Sequence, residues 1–441
     1  MNKIQDNVNK FNKIIHELGL SKETFCLAPY INLDLDQSGE MYSCYRGKKT
    51  LGNWKNRDSR KEFNNEEYQN LRQQLYDDKK HENCKSCWSA ESKGSISPRQ
   101  RFFDQVYGDY GSEYVKNLLT KIKQNPKLGE LTDIERTEIR TSSLCNLKCM
   151  HCGPGNSTQW IQMLSNNQTM YDEVRSFIAD PISTDDTMAK DLPKVYKSSL
   201  SSDGQYADTV KLAMRHSKIV QFSGGEPLLD PKHKGWLEYL QHSAERQTLD
   251  YNSNLNIHDL EEYFPLWKNF KRVNLRISID SAPSTYKYFR RLGDFSLVED
   301  NIKKIQNNFS SPQMFMTGSI TFNMFSALRW QEIFDWWRKN NVILHTSLVI
   351  DHPTSAIHLP DSLKQLCIDT MQSTIDWFKD ADEEDIFADQ WKRSTQDCLN
   401  YIKNDMKGEQ LSNNTVLYLK SFDRHTDLKT IDFFPELEKF L

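Results

Sequence analysis

The sequence predicts an α/β fold: a partial (β/α)6, TIM-like barrel, with a small α+β module before it and a helical extension after it. Three observations carry this. β-rich runs alternate with helical patterns from about residue 137 to 350, cysteines gather in sets before and at the start of that region, and helical periodicity continues beyond it. The expected divisions are 1–105, 130–350 with an insertion at about 156–215, and 351–441.

The β-rich runs are TEIRTSS (137–143), KIVQFSGG (218–225), LDYNSNLN (249–256), RVNLRISID (272–280), MFMTGSITF (314–322) and VILHTSLVI (342–350). Between them LEEYFPLWKNF (260–270), LVEDNIKKIQNN (297–308) and RWQEIFDWWRKN (329–340) return apolar residues every three or four positions, as amphipathic helices do. Strands alternating with helices imply parallel strands joined by right-handed crossovers. Six such units make an open barrel, and loops at the C-terminal ends of its strands are where a site is built. The insertion after the first strand is long and polar, with SNNQTM, DPISTDDTMAKDLPK and SSLSSDGQ; a solvated excursion and a lid over a substrate are both open.

Composition removes several classes of function. The 441 residues carry a net charge of −4 with Lys and Arg dispersed, so no concentrated basic surface invites nucleic acid. No apolar run approaches the roughly 20 residues of a membrane helix. The N-terminal MNKIQDNVNKFNKII lacks the apolar stretch of a signal peptide. A soluble, cytoplasmic protein is expected.

Nine cysteines in so long a chain do not make a disulfide scaffold; reduced thiols in local sets are the habit of metal sites. Cys367 and Cys398 lie in helical patterns and read as buried thiols packing like small hydrophobes. Cys145, Cys149 and Cys152 stand in SLCNLKCMHCG after the first strand. Three thiolates without a fourth leave either a distant partner to be recruited or one metal position open for chemistry. Haem attachment needs CxxCH, and Gly153 follows Cys152. Zinc shared by Cys149, Cys152, Cys84 and Cys87 would span a longer gap than compact zinc modules use and would leave Cys145 idle. After the second strand comes FSGGEPLLD: Gly224 and Gly225 admit close backbone approach, and Glu226, before Pro227, offers an acceptor to an ammonium group.

With both segments in this order, the chain resembles a radical S-adenosylmethionine (SAM) enzyme. The resemblance implies that Cys145, Cys149 and Cys152 hold a 4Fe–4S cluster whose open iron chelates SAM, and that the Gly224–Pro227 strand end takes the methionine amino group. It places His151 near the adenine, although a metal ligand or a surface histidine is also open at that position. Ser253 and Asn254 align with a Thr-Asn pair at the family's third strand end, and Ser278 and Asp280 with polar residues that reach the ribose or carboxylate. Helix N-capping competes for all of these. Arg276 alternates onto the face of Ser278 and Asp280, within reach of the carboxylate.

A second resemblance lies upstream. FCLAPYINLDLDQSGEMYSC reads as a β-hairpin with Cys26 and Cys44 at its ends, and HENCKSCW adds Cys84 and Cys87. Together they look like the twitch module, the half-sized relative of the SPASM domain, in which four cysteines close an auxiliary 4Fe–4S cluster. Here the module precedes the barrel and lacks the further cysteines of a full SPASM domain; structural zinc is the competing reading. The resemblances imply reductive cleavage of SAM to a 5′-deoxyadenosyl radical, a flavodoxin or ferredoxin reductant, and a peptide or protein substrate, with a small metabolite or nucleotide next. A non-catalytic iron–sulfur or zinc module is the alternative of another class.

Overall fold

The computed structural model describes residues 3–44, 47, 49–53, 59–92, 96–130, 134–178, 187–196, 211, 213–349, 352–379, 386–403, 406 and 408–441. In chain order its strands are β1 (Asn32–Leu35), β2 (Glu40–Tyr42), β3 (Gly52–Asn53), β4 (Arg136–Arg140), β5 (Lys148–Cys149), β6 (Ile219–Ser223), β7 (Thr248–Ser253), β8 (Arg272–Ser278), β9 (Arg290–Arg291), β10 (Met314–Phe322) and β11 (Ile343–Leu348). The six runs read from the sequence are β4, β6, β7, β8, β10 and β11, so the fold is the α/β class with parallel strands, a partial TIM-like barrel. Two compact units divide the chain. The first holds Met1–Thr141, Ser199–Phe222 and Gly235–Leu249; the second holds Ser142–Ser198, Ser223–Lys234 and Asp250–Leu441.

In the first unit, helix Lys3–Glu17 lays Phe11, Ile14 and Ile15 against Phe103, Val106, Val115 and Leu119 of helix Pro98–Gln124. Phe11 and Phe103 stack with ring centres 4.2 Å apart. The longer helix kinks at Gly111, where φ is 74°. β1 and β2 form the expected hairpin, pairing Asp34 with Tyr42 and Leu35 with Met41. Its turn closes because Asp36 Oδ1 accepts the Ser38 and Glu40 N–H groups at 2.8 and 3.0 Å, while Gly39 takes a φ of 91°. β1 also pairs in parallel with β4, Asn32 opposite Arg136 through Leu35 opposite Ile139.

Two buried arginines pin the segment around Cys26. Arg72 donates to Pro29 O, Phe63 O and Lys127 O and lies over the Phe63 ring. Arg99 donates to Lys22 O and Phe25 O and pairs with Glu91. Buried cations that direct each nitrogen at an acceptor hold the backbone they bond in place.

In the second unit β10 lies between β8 and β11, parallel to both. β8 buries Val273, Leu275 and Ile277 and leaves the alternate residues half-buried, as the period of two requires. Helices Asp361–Trp377 and Ile386–Lys403 form the C-terminal extension. Trp391 donates to Val342 O at 3.3 Å and Ser394 to Leu344 O at 3.2 Å, fastening the second of them to β11. Cys367 and Cys398 are buried in these helices, as packing thiols.

Two local expectations are revised. Residues 260–270 do not make one helix: a 3-10 turn, Leu260–Tyr263, gives way to a single α-turn, Phe264–Trp267, where Pro265 supplies no N–H. The described part of the insertion is not a solvated excursion. Helices Thr158–Ser165 and Gln168–Val174 bury Trp160, Leu164, Met170, Tyr171 and Val174 completely. DPISTDD (180–186) and SSLSSDGQ (198–205) lie outside the described residues. Among the described residues no helix is long and apolar enough to cross a membrane.

Candidate active site

The second unit gathers the three-cysteine loop, the Gly-Gly-Glu-Pro turn and the ends of β7 and β8. Cys145, Cys149 and Cys152 pack together around Leu147, with Cys145 and Cys149 buried. The loop is held from several sides. Ser157 Oγ donates to Leu147 O at 2.5 Å, Thr158 N to Ser143 O at 2.8 Å, and Trp160 Nε1 to Cys149 O at 3.0 Å. Cys149 lies in β5, which pairs antiparallel with β9 and sets Cys149 opposite Arg290.

Gly225 explains how the two motifs meet. Its N–H donates to Ser142 O and that of Glu226 to Leu144 O, both at 2.7 Å. A Cβ on Gly225 would lie 2.2 Å from Leu144 O. The close approach read from the glycines is therefore made to the cysteine loop's own backbone. Gly224 has a φ of 118°, a conformation that side chains rarely tolerate.

Glu226 is fully buried at the start of the Pro227–Leu229 turn. Its Oε1 accepts from Ser253 Oγ at 2.9 Å and Leu228 N at 3.2 Å, and its Oε2 from Asn254 N at 2.7 Å. Burial outweighs these bonds and raises the carboxyl to about 7. A carboxylate kept so far from water is well placed to gain from an incoming ammonium. Asn254 also donates to Asn146 Oδ1 at 3.0 Å and, through a longer contact of 3.8 Å, to Cys145 Sγ.

Asp280 stands past the end of β8 in a left-handed conformation, φ 57°. Its Oδ1 accepts the Thr321 N–H at 2.6 Å; its Oδ2 meets the Arg290 guanidinium and lies 3.4 Å from His151 Nε2. Burial pushes this carboxyl up, but Arg290, His151 and the Thr321 N–H prevail and hold it below the usual carboxylate range. His151 stacks on Phe289 with centroids 5.1 Å apart, and its buried Nδ1 has no partner among the described residues. Burial lowers its basicity. Ser278 sits half-buried beside Ser319 of β10. Arg276 turns instead to Asp250 Oδ2, at 2.9 Å, and to Asn252 Oδ1, at 3.3 Å, two neighbours earlier on β7.

Sequence reasoning missed Arg290, Asn146 and Tyr418. Arg290 donates to Ile279 O at 2.9 Å and to Cys149 Sγ at 3.5 Å in addition to Asp280. Tyr418, in helix Asn413–His425, donates its hydroxyl to Met150 O inside the cysteine loop. The same helix sets Phe422 edge-on to Trp160, centroids 5.6 Å apart. No local pattern marks these residues; each acts across a long separation in sequence.

The thiols fit a cluster. Burial raises all three, Cys152 to about 12, with Cys149 adding to the shifts of Cys145 and Cys152, so they ionise only against a strong local positive charge such as iron. In the first unit Cys26, Cys44, Cys84 and Cys87 line one pocket, with Arg99 and Phe102 in its wall. Burial raises Cys84 to about 12, and Cys44 and Cys87 add to it. Among the described residues no three His, Cys, Asp or Glu side chains are placed to hold a single metal ion.

The family model described as the radical SAM superfamily matches residues 139–328, and the one described as an iron–sulfur cluster-binding domain, SPASM, matches residues 26–88. No curated protein matches the sequence. Among solved structures the chain is similar to native anSMEcpe with bound AdoMet, at 14% identity and a TM-score of 0.33, covering 56% of this chain and 60% of that one. It is also similar to Streptococcus suis SuiB bound to S-adenosylmethionine, at 11% identity and a TM-score of 0.34, covering 66% and 56%. The chain thus spans less than two thirds of either protein.

Proposed function

Because the chain is a radical SAM superfamily enzyme with a SPASM-type iron–sulfur domain ahead of its barrel, we propose that it abstracts a hydrogen from a peptide or protein side chain. When bound, the 4Fe–4S cluster and SAM supply reductive cleavage of the sulfonium to methionine and a 5′-deoxyadenosyl radical. Cys145, Cys149 and Cys152 would hold the cluster, and the absence of a fourth sulfur in that loop would leave one position for SAM. Glu226 receives the methionine ammonium, with Gly224, Gly225 and Pro227 shaping the turn that presents it. Asn254, Ser278, Asp280 and His151 line the remaining approach to the nucleoside and carboxylate. Trp160, Tyr418 and Phe422 close the back of the loop against water.

The observation that carries this reading is the direct backbone bonding of the Gly-Gly-Glu-Pro turn to the three-thiol loop. It sets a buried carboxylate and an incomplete thiol site side by side. Four sulfurs lining the first unit's pocket leave no iron open, so Cys26, Cys44, Cys84 and Cys87 suit a cluster that passes electrons. A flavodoxin- or ferredoxin-type protein is the reductant this chemistry calls for. The SPASM-type module is what favours a peptide substrate over a small metabolite.

The test is anaerobic reconstitution with iron, sulfide and a strong reductant, followed by assay for 5′-deoxyadenosine. Cys145→Ala, Cys149→Ala or Cys152→Ala is expected to abolish it. Undiminished deoxyadenosine from any of these variants overturns the assignment. Deuterium appearing in deoxyadenosine from a deuterated peptide pool, and not from metabolite extracts, marks the substrate class.

A further inference from the structure

We propose that Arg290 is a positioning residue that sets the reduction potential of the cluster carried by Cys145, Cys149 and Cys152, acting through Cys149 with Asp280 as its counterweight. This rests on the cluster assignment above and adds a role that the motifs do not contain.

The argument begins with the β5–β9 ladder. Its register sets Cys149 directly opposite Arg290, and neighbours across an antiparallel pair come within about 5.5 Å at Cα. Each of the three guanidinium nitrogens is engaged. Nε is spent on Ile279 O, Nη2 on Asp280, and Nη1 points at Cys149 Sγ from 3.5 Å. Arg290 is buried and Asp280 almost wholly so, which leaves little water to screen either charge. Its place is held from both ends, so the N–H directed at sulfur is imposed by the fold.

A cluster ligated by three thiolates becomes more negative by one unit when it takes up an electron. A fixed cation and an N–H donor at a ligating sulfur stabilise that reduced state. A carboxylate on the far side of the same guanidinium partly cancels the effect. The two residues therefore pull the potential in opposite directions. A purely architectural ion pair gives no such opposition, because loss of either partner would loosen the same loop.

The test uses the full-length, reconstituted protein and reads the potential by redox titration followed by electron paramagnetic resonance. A Cys145→Ala/Cys149→Ala/Cys152→Ala variant supplies the signal of the other cluster for subtraction. Arg290→Gln is expected to make reduction about tenfold less favourable, a fall of about 59 mV for one electron. Asp280→Asn keeps an acceptor for the Thr321 N–H and leaves Arg290 bonded to Ile279 O; it is expected to raise the potential by a similar factor. Arg290→Lys is expected to restore most of the loss. A potential that Arg290→Gln leaves unchanged, or a shift of the same sign in both neutral variants, overturns the proposal. Should Arg290→Gln fail to take up iron, Asp280→Asn decides alone, an unmoved or lowered potential counting against it. Failure of the wild-type protein to form the three-cysteine cluster would instead defeat the underlying assignment.

Discussion

Gly225 shows how much one missing methyl group can decide. A Cβ there meets Leu144 O at 2.2 Å, Leu144 C at 2.7 Å and Ser143 C at 2.9 Å. All three are backbone atoms, which cannot swing aside as a side chain would. Gly225→Ala is therefore expected to push the turn off the cysteine loop, destabilising by about 1–3 kcal/mol and cutting iron uptake at the three-thiol site. Gly235, in helix His233–Leu240, has nothing within 4 Å of its would-be Cβ. Gly235→Ala is expected to be neutral or to stabilise by up to about 1 kcal/mol. Thermal unfolding and iron content of the two variants, measured side by side, check the contrast. The sequence made these glycines visible but not their neighbour. The rule that glycine permits close approach does not say what approaches.

Among the elements, helix Asn413–His425 is the one whose importance no motif announced. It reaches the cysteine loop through Tyr418 and Phe422, and the insertion through Ser421 and Arg424, both bonded to Glu173 at 2.6 Å. Tyr418→Phe removes the donor to Met150 O in a buried place, a loss on the order of 1–3 kcal/mol. The expected outcome is faster bleaching of the visible iron–sulfur absorption in air, with the Gly-Gly-Glu-Pro turn intact; an unchanged bleaching rate would show that the helix gives no cover. Elements bounded by local chemistry were legible: the hairpin by alternation and its Asp-Gln-Ser-Gly turn, and β8 and β10 by their β-branched and aromatic runs. The elements that escaped are set by partners far along the chain. β5 and β9 have two residues each, too short for any periodicity, yet they bring Cys149 to Arg290. The helix read at 260–270 failed for a local reason, since apolar spacing outvoted Pro265 in the reading but not in the backbone.

At the scale of the whole molecule, each thiol set belongs to its own compact unit: Cys26, Cys44, Cys84 and Cys87 to the first, Cys145, Cys149 and Cys152 to the second. Each set is held by bonds inside its unit, from Arg72 and Arg99 in one case and from Ser157, Trp160 and Arg290 in the other. Emptying one site is therefore expected to leave the other loaded. Wild-type protein should carry about eight irons, and replacing either cysteine set by Ala should leave about four. Loss of all iron on replacing the three barrel cysteines would contradict this independence.

The bonds from Gly225 to Ser142 and from Glu226 to Leu144 have one more consequence. They splice two strand ends into a single stiff bracket, carrying the acid that greets the ligand on one arm and the sulfurs on the other. Whatever pulls on the first arm when its guest arrives must strain the second. On the proposed assignment, occupancy at the carboxylate would bear mechanically on the thiol loop.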